Sequence, residues 1–437
     1  MALFPQEALN DGVRKREVFG WAMYDFANSG YTTVVLTAVF NTYFVGVAAG
    51  GADWATLAWT LVIAASSLIV MFTMPGLGAH ADLHACKKRL LAWTTAACVL
   101  ATLALAGVGR GDLWLAAAAM IVSNVAYSYG ETLTAAFLPE LARPDALGRV
   151  SGWGWSFGYC GGMLSLGLSL AYVLWAQAQG QAATQFVPVT MVITAAVYGL
   201  ASLATFALLR ERAVPRAAAG SGAPGGGGLR EALGQLADTA RHARTLRDFS
   251  WLLACGVCYQ AGIAVVIALA AVYAEQVLGF KQAQTMMLVF LVNIAAALGA
   301  FAFGYGQDRL GHKPALAVTL AGWVLMTLLA YLATGPGLFW VAAVVAGLCM
   351  GSSQSAGRAM VGVFAPDTQR AEFYGLWTFA TRLAAIAGPL TYGLVTWLSG
   401  GDHRLAILST ALFFVLGLVL LAPLDVARGR AAAAALR

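Results

Sequence analysis

Charge is what this sequence has least of. Of 437 residues, 11% are Asp, Glu, Lys or Arg, against about a quarter in ordinary soluble domains. With 60% hydrophobic residues and a mean hydropathy of +0.74, a soluble globular fold is excluded. Histidine is also scarce. His80, His84, His242, His312 and His403 are scattered over loops, which leaves no catalytic cluster for a lipid-modifying enzyme. His80 and His84 sit four apart beside Asp82 and mimic a metal pair, but their loop has a second role described below. The six cysteines lie mostly in apolar runs. Cys255-Gly-Val-Cys258 has redox or zinc spacing without histidine partners nearby, so these are expected to be core thiols and no metal is expected. No GxxxxGK[ST] loop occurs, so ATP-driven pumping by this chain has no support and no cofactor is implied. A cleavable signal peptide is not expected either, because a polar N-terminus leads directly into a full-length span.

What the sequence has instead is apolar runs. A helix needs roughly 20 such residues to cross the hydrocarbon. Runs of that kind start near residues 18, 55, 90, 113, 149 and 187, and again near 249, 282, 314, 338, 373 and 404. They predict an all-α integral membrane protein of twelve helices. Basic residues concentrate in alternate loops, while the opposite loops hold only Arg110, Lys281 and Arg404. This is the positive-inside pattern, and it places both termini in the cytoplasm. It also accounts for the net charge of +6 without a nucleic-acid partner.

The twelve helices fall into two sets of six. Between them lies a stretch containing SGAPGGGG, a flexible linker by composition, with residues 229–247 patterned as a basic amphipathic helix on the inner leaflet. The expected division is a cytoplasmic N-terminus (1–17), a six-helix bundle (18–209), a linker (210–248), a second bundle (249–424) and a tail (425–437). The halves also repeat each other. GAHADLHACK after the second helix carries Gly78, Asp82 and Lys87; GYGQDRLGHK after the eighth carries Gly304, Asp308 and Lys313 at the same spacing. PDALGRVSG follows the fourth helix and PDTQRAEFYG the tenth. Parallel repeats of this kind bind solute near the midplane between them. Each loop reads as a gate: glycine admits a close helix, the aspartate faces the positive end of a neighbouring helix, and the lysines stay at the lipid surface. Asp82 suits the start of the eleventh helix and Asp308 the start of the fifth. A loop staple that only fixes topology is the alternative.

Twelve helices, the paired loops and the central linker resemble the major facilitator superfamily. YDFANS, AFLPELA, GRVSGWGWSFGYCGG and AEFYGLWTFATRLAAIAGPLTYG narrow the resemblance to the unknown-major-facilitator group, related to autophagy-linked vacuolar amino-acid effluxers. It covers residues 18 to 424. One departure is Ala85, where the second loop has Gly311. The resemblance implies two pseudo-symmetric six-helix bundles. It also implies that the first, fourth, seventh and tenth helices line a cavity, and that amino acids are the cargo.

Ionisable residues inside a membrane cost about 2.5–3.5 kcal/mol each and face a cavity or a partner. Four stand out: Asp25, Glu131, Arg358 and Arg382, in the first, fourth, tenth and eleventh helices. At a 1.5 Å rise per residue all four fall in the cytoplasmic half. Their two acids and two bases suit a site for a zwitterion, an inner gate in which Asp25 meets Arg358, or a static ion-pair network. Asn28 is three residues past Asp25, and with Tyr24 and Tyr31 it extends a polar stripe expected to face the cavity. Tyr259, Gln260 and Gln354 interrupt apolar runs and are further lining candidates; an interhelical hydrogen bond explains each nearly as well.

The resulting expectation is a secondary transporter of a small polar solute, with amino acids as first choice, working by alternating access and with protons as candidate coupling ion. Other cargo (an organic anion, drug or siderophore) and a non-transporting receptor on the same fold are the alternatives. The expected partners are that solute, protons and membrane lipids around a monomer, in a bacterial plasma membrane.

Overall fold

The computed structural model describes residues 4–52, 54–213, 246–280 and 282–435. Its twelve long helices are α1 (Lys15–Tyr31), α2 (Ala55–Leu83), α3 (Lys87–Leu105), α4 (Leu113–Ala135), α5 (Leu147–Ala178), α6 (Ala183–Leu208), α7 (Arg247–Leu278), α8 (Gln282–Leu310), α9 (His312–Leu332), α10 (Pro336–Phe364), α11 (Arg370–Leu398) and α12 (His403–Leu421). A short α13 (Val426–Ala434) follows, so the tail is helical. Helices are what such apolar runs must form in hydrocarbon, where each backbone polar group has to be satisfied within its own segment. Eleven helices among the described residues are long and apolar enough to cross a membrane. The remaining one, α11, is as long at 29 residues but carries Arg370, Glu372, Arg382 and Pro389. Most of the linker, with the expected amphipathic helix before Arg247, lies outside the described residues.

Packing repeats with the sequence. In the first half α1 packs on α5 and α6, α4 on α2 and α3, and α6 on α3 and α5. Adding six to each number gives the second half: α7 on α11 and α12, α10 on α8 and α9, α12 on α9 and α11. The two seams between the halves, α5 against α8 and α2 against α11, exchange under the same operation.

Each seam is a crossing of glycines. A Cβ on Gly78 of α2 would overlap the Ala371 carbonyl of α11, and one on Gly375 of α11 would sit 2.8 Å from Pro75 Cα. On the other seam a Cβ on Gly304 would lie 2.8 Å from the Gly148 oxygen, and one on Gly152 would overlap the Ala300 carbonyl. These crossings lie next to the signature loops, at the end of the molecule rich in Lys and Arg, here called the basic end. The departure in the first loop keeps the positive φ. Ala85 has φ 48°, positive like the φ 93° of Gly311 in the second loop, whose ψ of 153° is open essentially to glycine alone. Alanine there carries strain that glycine does not.

The N-terminal residues are ordered rather than loose. Phe4, Ala8, Leu9 and Val13 are buried. Leu9 forms an antiparallel bridge to Ala142, with Asn10 N–H donating to the Leu141 oxygen at 3.0 Å and Arg143 N–H to the Ala8 oxygen at 3.0 Å. Arg430 of α13 donates to the Pro144 oxygen at 3.1 Å, so both terminal regions meet the α4–α5 loop at the basic end.

Candidate functional site

The two signature aspartates seal the seams. Asp82 Oδ2 accepts the Glu372 amide at the start of α11, at 3.0 Å. Asp308 accepts the Gly148 and Arg149 amides at the start of α5, at 2.9 and 3.1 Å, and the Arg149 Nε at 2.8 Å. A carboxylate at a helix N-terminus meets unsatisfied amides and the positive end of the dipole, a stabilising arrangement. The lysines depart from expectation. Lys87 is 1% exposed rather than at the lipid surface: it is ion-paired with Glu140 and lies 4.0 Å from Asp82. The reason is the acid crowding around the start of α3, where Glu211 also accepts the Lys87 amide at 2.6 Å and the Lys88 amide at 3.1 Å. Burial pushes the Glu211 carboxyl up from its ordinary range, opposed by the Lys88 and Lys87 amides. Lys313 turns instead to the end of α12, donating to the Ala422 and Leu424 oxygens at 2.7 and 2.9 Å.

Deeper in, the four intramembrane charges form two cross-half pairs of different character. Arg358 Nη1 donates to Asp25 Oδ2 at 2.6 Å. Its Nε donates to Ser151 Oγ at 3.1 Å and its Nη2 to the Ser151 oxygen at 2.8 Å. The guanidinium lies 4.8 Å over the Trp21 ring and 5.3 Å over Trp155. Tyr374 donates to the Arg358 carbonyl at 2.8 Å, fixing the helix that carries it. Gly154 lets this happen, because a Cβ there would lie 2.5 Å from Arg358 Nη2. Arg358 thus has donors engaged on three sides and two aromatic faces.

The second pair is loose. Arg382 Nη2 lies 3.8 Å from Glu131 Oε2 and donates to Ser128 Oγ at 2.7 Å. Arg382 Nε is buried with no partner. Glu131 keeps 38% of its side chain exposed, against 11% for Asp25 and 8% for Arg358. Thr132 and Thr378 join hydroxyls at 2.7 Å beside it, again across the halves.

The other candidates lie elsewhere. Tyr24, Asn28 and Tyr31 turn into the first half, not into a cavity. The Tyr24 hydroxyl meets Thr95 at 3.0 Å and Tyr198 at 3.2 Å, Tyr198 donates to Asn28 Oδ1 at 2.9 Å, and Tyr31 meets Ser123 at 2.7 Å. The physical reason is that α6, α3 and α4 offer hydroxyl partners on that face, and a buried amide or phenol takes them. Gln260 and Gln354 pair with each other, Nε2 to Oε1 at 2.9 Å, within the second half. Tyr259 is fully buried, with its ring against Trp377 at 6.3 Å. The sequence reading missed Ser151, Ser128 and the aromatic face of Trp21; of Trp153 and Trp155, which point to different faces of α5, Trp155 is the one that meets Arg358. The GRVSG segment contains Ser151, yet nothing in its type or spacing singles it out.

The family model described as "Vacuole effluxer Atg22 like" matches residues 13–434. An uncharacterized MFS-type transporter, YxiO of Bacillus subtilis, is 28% identical over 92% of this chain and 93% of its own length. Autophagy-related protein 22-1 of Aspergillus niger is 27% identical over 45% of this chain, and the match spans 34% of that longer protein. Among solved structures, the human organic anion transporter MFSD10 superposes with TM-score 0.72 at 15% identity, over 93% of this chain and 99% of its own. A bacterial homologue of the iron transporter ferroportin in an outward-facing state gives 0.68 at 15%, over 94% and 99%. The fold of these neighbours, the paired loops and the length of the family match agree: this chain is an integral membrane transporter of the major facilitator superfamily and belongs to the Atg22-like family.

Proposed function

We propose that the chain carries small zwitterionic solutes, amino acids first, by alternating access, with Glu131 and Arg382 as the solute site and Asp25–Arg358 as the gate at the basic end. The observation that carries this is the contrast between the two pairs. Arg358 has its donors satisfied and its faces covered, as a closed gate requires. Arg382 keeps a buried, unpartnered Nε, while its Nη2 lies 3.8 Å from a partly exposed carboxylate. An unsatisfied buried donor favours an incoming carboxylate, and Glu131 suits an ammonium. The family resemblance supports amino acids within that class.

The positive-inside pattern makes the basic end cytoplasmic, with both termini there, and makes this conformation closed inward. A bacterial plasma membrane fits the Bacillus relative. Proton coupling fits the same geometry: the Glu131 carboxylate can hold either a proton or the solute's ammonium, so the two loads alternate.

Reconstituted flux over an amino-acid panel tests the assignment. Wild-type protein should move at least one panel member faster when a pH gradient is imposed, and Glu131→Gln should lose that dependence. Uptake indifferent to a collapsed gradient would remove the coupling. Transport of organic anions with no panel member moved would replace the cargo, and ligand binding without flux would make the chain a receptor.

A further inference from the structure

The groups that receive Arg358 all belong to the first half. Trp21 and Asp25 stand on α1, Ser151 and Trp155 on α5. Together they offer one cation three oxygen acceptors and two aromatic faces. The acceptors are Asp25 Oδ2 at 2.6 Å, Ser151 Oγ at 3.1 Å and the Ser151 carbonyl at 2.8 Å. The Trp21 and Trp155 rings lie 4.8 and 5.3 Å from the guanidinium carbon. Rings within about 6 Å attract a cation, most strongly where water is excluded. The Ser151 hydroxyl sends its own proton to the Ser355 oxygen at 2.9 Å, so its lone pairs are left to accept. Gly154 makes the floor of this cage, since a Cβ there would overlap Asp25 Oδ2 and lie 2.7 Å from the Trp21 ring.

The cage does not depend on Arg358 for its shape. Trp21 Nε1 donates to the Thr134 oxygen at 2.8 Å, which fixes that ring from within the first half, and Trp155 packs on Tyr159 at 5.9 Å. The two helices interlock just beyond it. A Cβ on Gly161 would overlap the Phe26 carbonyl, and one on Gly158 would lie 3.3 Å from the Asp25 oxygen. Backbones this close move as one body. Arg358 comes instead from α10, so it is carried off whenever the halves part at the basic end. A largely buried carboxylate is then left without its cation, which is costly. Three acceptors match the three N–H groups of a primary ammonium. The indole faces suit its alkyl-bearing cation, whereas a hard divalent ion calls for more oxygen ligands than are present.

We infer that Trp21, Asp25, Ser151 and Trp155 form a second cation subsite that takes the solute's primary ammonium when Arg358 withdraws, so that solute and Arg358 compete for one cage. The inference rests on the gate and solute class proposed above, but the cage can be tested without transport. In full-length Arg358→Ala in detergent the cage is vacant, and methylammonium is the probe. Methylammonium chloride should raise its unfolding midpoint above that in sodium chloride at equal concentration, by more than in wild type, whose cage is filled. Adding Asp25→Asn should remove that excess. Adding Trp155→Leu should weaken the apparent methylammonium affinity by about threefold or more, the low end of a cation–π contact, and Trp155→Phe, which keeps a ring face, should recover most of it. No excess over wild type, or undiminished affinity in Trp155→Leu, overturns the cage. A second arm keeps Arg358 in place. In oriented proteoliposomes Trp155→Leu should raise the leucine KM at the basic-end face by about threefold more than at the opposite face, and an equal change on both faces overturns the solute's use of the cage. The amino-acid reading fails separately, if wild type moves no leucine while methylammonium still stabilises Arg358→Ala.

Discussion

Arg358 closes a 2.6 Å ion pair with Asp25, 333 positions away in sequence and on the opposite half of the molecule. Removing one member of such a pair leaves a desolvated charge and costs about 3–5 kcal/mol when burial is complete. Asp25→Asn and Arg358→Gln should each destabilise the closed form by somewhat less than that, since both side chains keep slight exposure. The double variant should cost clearly less than the sum. Thermal unfolding in detergent, run as a full mutant cycle, checks it. Additive effects would mean the two side chains do not act as a unit.

Glu131→Gln should behave differently. With 38% of its side chain exposed and its partner 3.8 Å away, the loss in stability is expected to stay below about 1 kcal/mol. Its transport defect should nevertheless be severe. Unfolding midpoints and flux measured on the same preparations separate the two, and a variant as unstable as Asp25→Asn would count against the division into site and gate.

The glycine crossings make a conformational prediction. Gly152→Ala and Gly78→Ala place a methyl against a backbone carbonyl of the other half, so they should wedge the seams and favour opening at the basic end. Gly306, with nothing within 4 Å of a Cβ, is the control. Gly306→Ala should leave the state unchanged and stabilise its helix by about 0.5–1 kcal/mol. Labelling rates of an introduced cysteine at Ser355, which faces α5 through its carbonyl, report the opening. Equal rates in all three variants would show that seam contact does not set the state.

Ala85 offers a simpler test. Replacing it with glycine relieves the left-handed strain at φ 48° but loosens the unfolded chain, for a net gain of about 1 kcal/mol or less. Gly311→Ala should lose more, about 1–3 kcal/mol, because φ 93° with ψ 153° is open essentially to glycine alone. Paired thermal shifts of opposite sign are the expected outcome.

Aspartates 82 and 308 were legible in the sequence because a repeat announces itself: glycine, acid and base recur at fixed spacing in both halves, and a carboxylate beside a helix start has few other uses. The intramembrane charges were legible for a different reason, since hydrocarbon makes any charge conspicuous. What escaped were residues whose role is set by who stands opposite. Asn28 and Tyr24 share a helix with Asp25, yet only the positions of Tyr198 and Thr95 decide that they turn inward. Lys87 looks like a surface lysine until Glu140, 53 residues on, arrives beside it. Residues Thr32–Ala38, which continue the first span beyond Tyr31 in π-helical turns, read in sequence as an ordinary apolar stretch with three hydroxyls, and nothing in that pattern separates a wide turn from an α-helical one.

The bridge between Leu9 and Ala142 also bears on how the protein is made. Asn10 binds the carbonyl of Pro139, 129 residues away, so residues 4–13 have no docking place until the fourth span has been synthesised. Their apolar side chains, Phe4 and Leu9 among them, must wait unburied through most of the insertion of the first half. These residues therefore settle late in biogenesis, and protection of residues 4–13 from protease should date the arrival of α5, on whose Trp153 and Phe157 the Phe4 ring packs.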